Sequence, residues 1–384
     1  MGNYRLMTPG PVAVPEDARL AMARAQRNHR TPEFRAELAM LHEGFQEIFR
    51  TRNTVCLLTC SGTGGMEAAV ANIVACGSKV IVLESGKFAE RWRKIAERFG
   101  ADVVRYEVPW GRSFDPMELQ RLLREHPDTV AVFATLSESS TGVGHDIAVF
   151  GGIVARTPAL FVVDAISGAA CMECETDAWG VDLLVVGSQK ALMGPPGAAM
   201  VAVSDKAWRR IESLPDRPVF YFDLLAYRKA WEKSDTPYTP ATAAFLALGE
   251  SVRLIREEGV EKFRQRAQRL ARATRAGVVK LGMTLVADVP ADGLTAAYFP
   301  DGVDVTAFLK RLEFGYGVKL AGGQGPLTGR ICRIAHMGAV DVVDILGTLA
   351  AMELVLREMG VHITPGSAVA AAQNVLLETE LGIK

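Results

Sequence analysis

From about residue 55 to residue 203 the chain alternates short β-branched runs with helical stretches, and that alternation constrains its fold more than any other feature. The candidate strands are Lys79–Glu84, Val103–Val108, Thr129–Thr135, Ala159–Asp164, Val181–Gly187 and Ala198–Val203. Several are apolar at successive positions, the pattern of strands covered on both faces. In the segment after Ser61, Met66, Ala69, Val70, Ile73 and Val74 fall on one stripe at helical spacing. Lys87–Phe99 and Asp115–Glu125 read as charged amphipathic helices. Strand–helix alternation of this kind predicts an α/β fold with a mostly parallel sheet flanked by helices.

After Pro240 the rhythm changes. A long helical segment, about residues 241–281 with a break near Gly259, leads into a smaller α+β pattern. That pattern is a strand over Thr295–Phe299, a helix over Val305–Leu312, a strand over Ile331–Ala335 and a helix over Val340–Met359. The expected organisation is an extended segment over residues 1–15, a large domain over 16–250 and a small C-terminal domain over 251–384. Pro9, Pro11 and Pro15 should keep the first segment extended over the surface. The tail Ser367–Leu381 is weakly amphipathic and suits a terminal helix.

Composition narrows the function classes. At 384 residues, with 49% hydrophobic and 23% charged, the chain can bury a large core and does not read as disordered. Its 43 basic and 44 acidic residues leave a net charge of −1, so nothing favours nucleic acid or an anionic membrane surface. No apolar run suits a signal peptide or a membrane span, and a cytoplasmic protein is expected. Five of the six cysteines (Cys56, Cys60, Cys76, Cys171, Cys174 and Cys332) sit in or beside apolar stretches, as reduced buried thiols do. Cys171 and Cys174 have C-x-x-C spacing, but no second pair completes a metal site.

Three segments carry chemistry. Cys60–Glu67 (CSGTGGME) is a glycine- and hydroxyl-rich turn just before an amphipathic helix, where backbone N–H groups and the positive helix end suit one phosphate. An ordinary helix cap fits the same residues equally well. A P-loop needs Gly-Lys-Ser/Thr after the glycines, and Met66-Glu67 stands there instead. Glu84 suits a dinucleotide fold, but the glycine spacing does not. The second segment ends an apolar strand with Asp164, at the edge where open α/β sheets bind ligands. A buried carboxylate there needs a cationic or N–H partner, and a protonated pyridine nitrogen is one. A helix-capping aspartate is the plainer alternative. The third segment, GSQKALMGPPG (187–197), sets Lys190 at the end of an apolar strand among small and apolar residues. Desolvation there would lower the pKa toward the free amine that imine chemistry needs; a surface lysine is the alternative if the strand ends elsewhere. Glycine turn, strand-end aspartate and strand-end lysine, in that order, match pyridoxal 5'-phosphate (PLP) chemistry.

In sequence order, SGTGG (61–65), SESSTGV (137–143), VVDAISG (162–168), GSQKALMGPPG (187–197) and TPYTPAT (236–242) resemble the class V, fold-type I PLP-dependent aminotransferases. Within them the chain is most similar to the alanine–glyoxylate and serine–pyruvate (or serine–glyoxylate) aminotransferases. TPGPVAVP (8–15), HRTPEFR (29–35) and RICRIAHMG (330–338) extend the likeness across nearly the whole chain. The resemblance implies that Lys190 carries the cofactor as a Schiff base and shuttles the proton, and that Asp164 pairs with the pyridine nitrogen. It implies a phosphate held by Thr63, Gly64 and Gly65 with Gln189 assisting, and a ring stacked between Phe88 and Ile166. Ser139 would lie near the ring's polar edge, and Arg333 would bind the substrate carboxylate. Thr239 would reach the phosphate of the neighbouring subunit, so a homodimer is implied, acting on a small amino acid and a 2-oxo acid. Phe88 stands where the animal enzymes often have Trp, Gly65 where a larger side chain occurs, and Thr236 where some relatives have Tyr; these departures weaken any transfer of substrate preference.

Alanine or serine as donor and glyoxylate or pyruvate as acceptor is the leading expectation. No second carboxylate-binding cation is apparent in the motifs, although His29, Arg30 or a partner-chain arginine could serve a dicarboxylate. Aspartate, phosphoserine or ureidoglycine as donor, a lyase or desulfurase of the same fold, a non-catalytic PLP-fold subunit, and a dinucleotide oxidoreductase are the alternatives.

Overall fold

The computed structural model describes residues 4–25 and 28–380; residues 1–3 of the N-terminal segment and 381–384, including Leu381 of the tail, lie outside them. Seven strands form the main sheet: β1 (Thr54–Leu58), β2 (Lys79–Glu84), β3 (Asp102–Glu107), β4 (Ala131–Thr135), β5 (Leu160–Asp164), β6 (Leu183–Gly187) and β7 (Ala199–Val203). Their order across the sheet is β1-β7-β6-β5-β4-β2-β3. All run parallel except β7, which is antiparallel to both β1 and β6.

The unbroken apolar runs have a direct cause. Phe161 and Val163 of β5 pack into the core on one face of the sheet with Phe45 and Leu248, while Leu160 and Val162 pack into the other with Val70 and Trp92. Every residue of β4, β5 and β6 is buried. Four helices frame the site and the passage to the second domain: α1 (Gly62–Ile73), α2 (Lys87–Arg98), α3 (Thr242–Glu258) and α4 (Val260–Lys280). The expected break between the last two falls at Gly259, whose φ of 90° lies in the left-handed region that glycine tolerates.

A second, antiparallel sheet pairs Thr284–Leu285 with Leu294–Tyr298, Leu294–Tyr298 with Ile331–Ala335, and Ile331–Ala335 with Ala321–Gly322. The helices Val305–Tyr316, Val342–Glu358 and Ser367–Glu380 complete this region. Residue 250 lies inside α3, whose Phe245, Leu248, Val252 and Ile255 pack on the large sheet's core. We propose that the division between domains falls within α4, where Phe263 and Ala267 still join that core and Leu270 and Val278 join the smaller one.

The N-terminal segment is extended but does not simply run over the surface. Arg5–Leu6 pairs with Val318–Lys319, and Met7 and Val12 are buried. Met7 C=O accepts from Ala335 N–H at 2.8 Å, and Val12 N–H donates to Gln189 C=O at 3.1 Å. Extended backbone offers its N–H and C=O groups to both domains, and Met7 packs into the smaller core while Val12 packs into the larger one.

Candidate active site

The site is assembled from the carboxyl ends of adjacent parallel strands. Neighbours β6, β5, β4 and β2 end at Gly187, Asp164, Thr135 and Glu84. The turns after them deliver Gln189 and Lys190, Ile166, Ser139, and Phe88 to one edge of the sheet, the usual ligand edge of an open α/β fold. α1, next in the chain after β1, points its N-terminus to the same edge.

Lys190 is largely buried, and its Nζ donates to Pro9 C=O at 2.6 Å and lies 5.7 Å from the centroid of the Phe88 ring. Burial, and then the positive charge of Arg333, bring its pKa down to about 8, against the smaller opposing effect of Asp164. The N-terminal segment presses directly on this side chain. A Cβ added to Gly10 would fall 2.3–2.5 Å from Lys190 Cδ, Cε and Nζ, and the φ of +108° at Gly10 is itself a glycine conformation.

Asp164 ends β5 at 3% exposure. Its Oδ1 accepts one hydrogen bond, from Ile166 N–H at 2.8 Å. Burial pushes its pKa up to about 7, and the nearby Glu138 charge adds to the rise. Gln189 Oε1 is also buried and has no hydrogen-bond partner. On α1, Ser61 makes no side-chain cap, and the first backbone bond runs from Gly65 N–H to Ser61 C=O. The N–H groups ahead of it therefore face out of the helix end, ready for an anion. Ile166 sits against this turn: a Cβ at Gly62 would lie 2.6 Å from Ile166 Cδ1.

Arg333 lies on an inner strand of the smaller sheet and is 7% exposed. Its Nε donates to Gly322 C=O at 2.9 Å and its Nη1 to Ser139 C=O at 2.8 Å, so carbonyl dipoles hold it in place. No carboxylate lies within ion-pair distance of it among the described residues, and burial lowers its pKa. A buried guanidinium of this kind has the donors and charge to bind a carboxylate. The main-chain oxygen of Ser139 thus orients Arg333. Thr239 is exposed, two residues before Ala241 N–H donates to Thr59 Oγ1 at 3.0 Å. Arg30 is tied to Asp235 at 2.6 Å and to Thr236 C=O at 2.8 Å.

Two residues of the site are not visible as such in the sequence. Glu138 is fully buried; its Oε2 accepts from Phe88 N–H at 3.0 Å and Ala89 N–H at 2.9 Å, and its Oε1 accepts from Ser140 N–H and Oγ at 3.1 and 2.6 Å. It caps α2 from fifty residues away, because Gly86 at the helix start has no side chain to do so. Burial raises its pKa against these hydrogen bonds. Arg91, one turn along α2, donates from Nη1 to Thr63 Oγ1 at 2.8 Å. The SESSTGV motif flagged the segment around Glu138, but no local pattern marks a helix cap so distant in sequence.

Large α/β domain, smaller antiparallel domain and a strand-end lysine opposite a buried arginine together define a fold-type I architecture. Residues 18–334 match the family "Aminotransferase class-V", and the chain belongs to that family. Over 97% of its length it is 39% identical to a protein of Synechococcus sp. (strain PCC 6716) named soluble hydrogenase, small subunit, of which 98% is covered. It is 34% identical to the serine–glyoxylate aminotransferase of Methylorubrum extorquens, with 99% of this chain and 98% of that protein aligned. The crystal structure of ureidoglycine–glyoxylate aminotransferase from Bacillus subtilis superposes with a TM-score of 0.94 at 30% identity, covering 98% of each chain. No described helix is long and apolar enough to cross a membrane.

Proposed function

We propose that this chain is a PLP-dependent aminotransferase that moves the amino group of a small amino acid, alanine or serine, to glyoxylate or pyruvate. The observation that carries the reading is Lys190, whose buried amine has its pKa brought down to about 8 at the ligand edge of the sheet, beside Phe88 and under the field of Arg333. The surrounding residues fit the cofactor. Asp164 is a buried carboxylate with a single N–H partner, Gln189 Oε1 lacks a donor, and the end of α1 offers N–H groups to a phosphate.

When bound, PLP supplies an electron sink for the bond that breaks at the substrate Cα. Lys190 would take the proton from the substrate Cα and deliver it to the cofactor C4', and the lowering of its pKa to about 8 shifts it toward the free amine that this needs. Asp164 would pair with the ring nitrogen and favour its protonated form. Phe88 and Ile166 would flank the ring. Arg333 grips the substrate carboxylate with the edge of the guanidinium not engaged by Ser139 and Gly322. Glyoxylate as acceptor is supported by the names of two relatives, the serine–glyoxylate and ureidoglycine–glyoxylate enzymes, whose donors differ. Exposure of Thr239 supports a homodimer in which each chain completes the site of the other.

The test is the absorption spectrum of purified protein before and after L-alanine or L-serine, beside a Lys190→Ala variant, with a donor panel of aspartate, phosphoserine and ureidoglycine. A visible cofactor band that shifts with the donor and is lost without Lys190 supports the reading. Protein that stays colourless after incubation with PLP refutes it. Cofactor bound without reaction toward any donor points to the non-catalytic subunit, the reading that the hydrogenase-subunit name of one relative favours. Sulfide released from cysteine points to the desulfurase.

A further inference from the structure

We infer that Arg91 is the cation of the cofactor's phosphate cradle, a role that rests on the PLP reading of the site. The residues expected to hold the phosphate (Thr63, Gly64, Gly65, Gln189 and Thr239) include no positive charge. A phosphate monoester carries about −1.5 to −2 at neutral pH, whereas a helix N-terminus supplies only about +0.5. The turn itself has no room for a cationic side chain. A Cβ at Gly65 would lie 2.9 Å from Val185 Cγ1 and 3.2 Å from Ala199 Cβ, and one at Gly64 would lie 2.7 Å from Cys60 Cβ and Sγ. The charge must come from a neighbouring element.

α2 provides it. Arg91 comes three residues after Phe88 and shares its face of the helix; its Cζ lies 4.9 Å from the centroid of the Phe88 ring. Its Nη1 donates to Thr63 Oγ1, which leaves the Thr63 hydroxyl proton to be donated outward to an anion. Lys87, Arg93 and Lys94 on the same helix each pair with a glutamate. Among the described residues no carboxylate lies within ion-pair distance of Arg91, so its charge is not already neutralised. The bond to Thr63 places the guanidinium on the phosphate side of the site. Arg333 is held elsewhere, by Ser139 and Gly322. One cation then serves the phosphate and the other a single substrate carboxylate, in keeping with monocarboxylate substrates.

The experiment is equilibrium binding to cofactor-stripped full-length protein, with PLP, pyridoxal and inorganic phosphate as probes, for wild type, Arg91→Gln and Arg91→Lys. The Gln variant should bind PLP and inorganic phosphate about tenfold more weakly or worse, the scale of one lost charged hydrogen bond. Its affinity for pyridoxal, which lacks the phosphate, should stay within about twofold, and this also shows that the site is folded. The Lys variant should recover part of the loss. Unchanged PLP and phosphate affinity in the Gln variant overturns the inference. Equal losses for PLP and pyridoxal overturn it too, because Arg91 then acts on the ring through Phe88. A higher KM for aspartate with normal PLP binding would make it a substrate residue instead. Wild-type protein that binds no PLP sinks the cofactor reading itself, and the inference with it; wild type and variants that bind PLP alike sink only the inference.

Discussion

Deleting the Glu138 carboxylate tests how the aromatic wall of the site is held. Glu138→Ala leaves Phe88 N–H, Ala89 N–H, Ser140 N–H and the Ser140 hydroxyl without their acceptor, in a place where Glu138, Ala89 and Ser140 are all at 0% exposure. A buried donor left unpaired costs about 1–3 kcal/mol, so four give a gross loss of about 4–12 kcal/mol. Two effects reduce it. Burying the carboxylate is itself unfavourable, as its raised pKa shows, and water can enter the space left behind. A net loss of about 3 kcal/mol in unfolding free energy is expected. Glu138→Gln keeps the volume but brings one acceptor oxygen and one NH2, so only one of the two bonded pairs is served and about half the loss remains. Urea unfolding of the cofactor-free variants measures the total, and amide exchange at Phe88 and Ala89 shows where it arises. An alanine variant within about 1 kcal/mol of wild type, or with normal protection at those two amides, would refute the argument that Glu138 bolts α2 to the sheet.

The same geometry sets three further outcomes. Lys190 has a folded pKa of about 8, below the 10.5 of the free side chain, so between those values the unfolded chain binds more protons and stability should rise with pH; pH-dependent unfolding of the apo protein should lose that rise in Lys190→Met. Arg333→Gln should raise the donor KM, and should also raise the Lys190 pKa by removing a charge that lowers it, read from the pH dependence of amine labelling in apo protein. Gly10→Ala combines a disfavoured backbone conformation with a Cβ in the space of the Lys190 side chain, and should cost about 1–3 kcal/mol and slow cofactor uptake, checked by thermal melts and binding kinetics.

Much of the architecture is written locally. Runs such as Leu160–Asp164 and Leu183–Gly187 are apolar throughout because each face meets a core, so they announce buried parallel strands without reference to the rest of the chain. Asp164 and Lys190 were legible for the same reason: an ionisable residue that ends such a run is carried into the interior at the ligand edge. Gly259 marked the break between two helices because no side chain suits its backbone. The direction of β7 was not legible, since an apolar run reads the same whichever way it points.

Sequence alone therefore determined the class of fold, the family, and the placing of an aspartate and a lysine at strand ends. Tertiary structure decided what those groups meet. Pro9 C=O reaches Lys190 across 181 residues, Ser139 C=O meets Arg333 across 194, and Glu138 caps a helix 50 residues before it. Burial periodicity is a property of consecutive residues, and a single chain carries it openly. Contacts of this kind depend on strand order and on how the smaller domain and the N-terminal segment close over the sheet edge, and no local pattern encodes them.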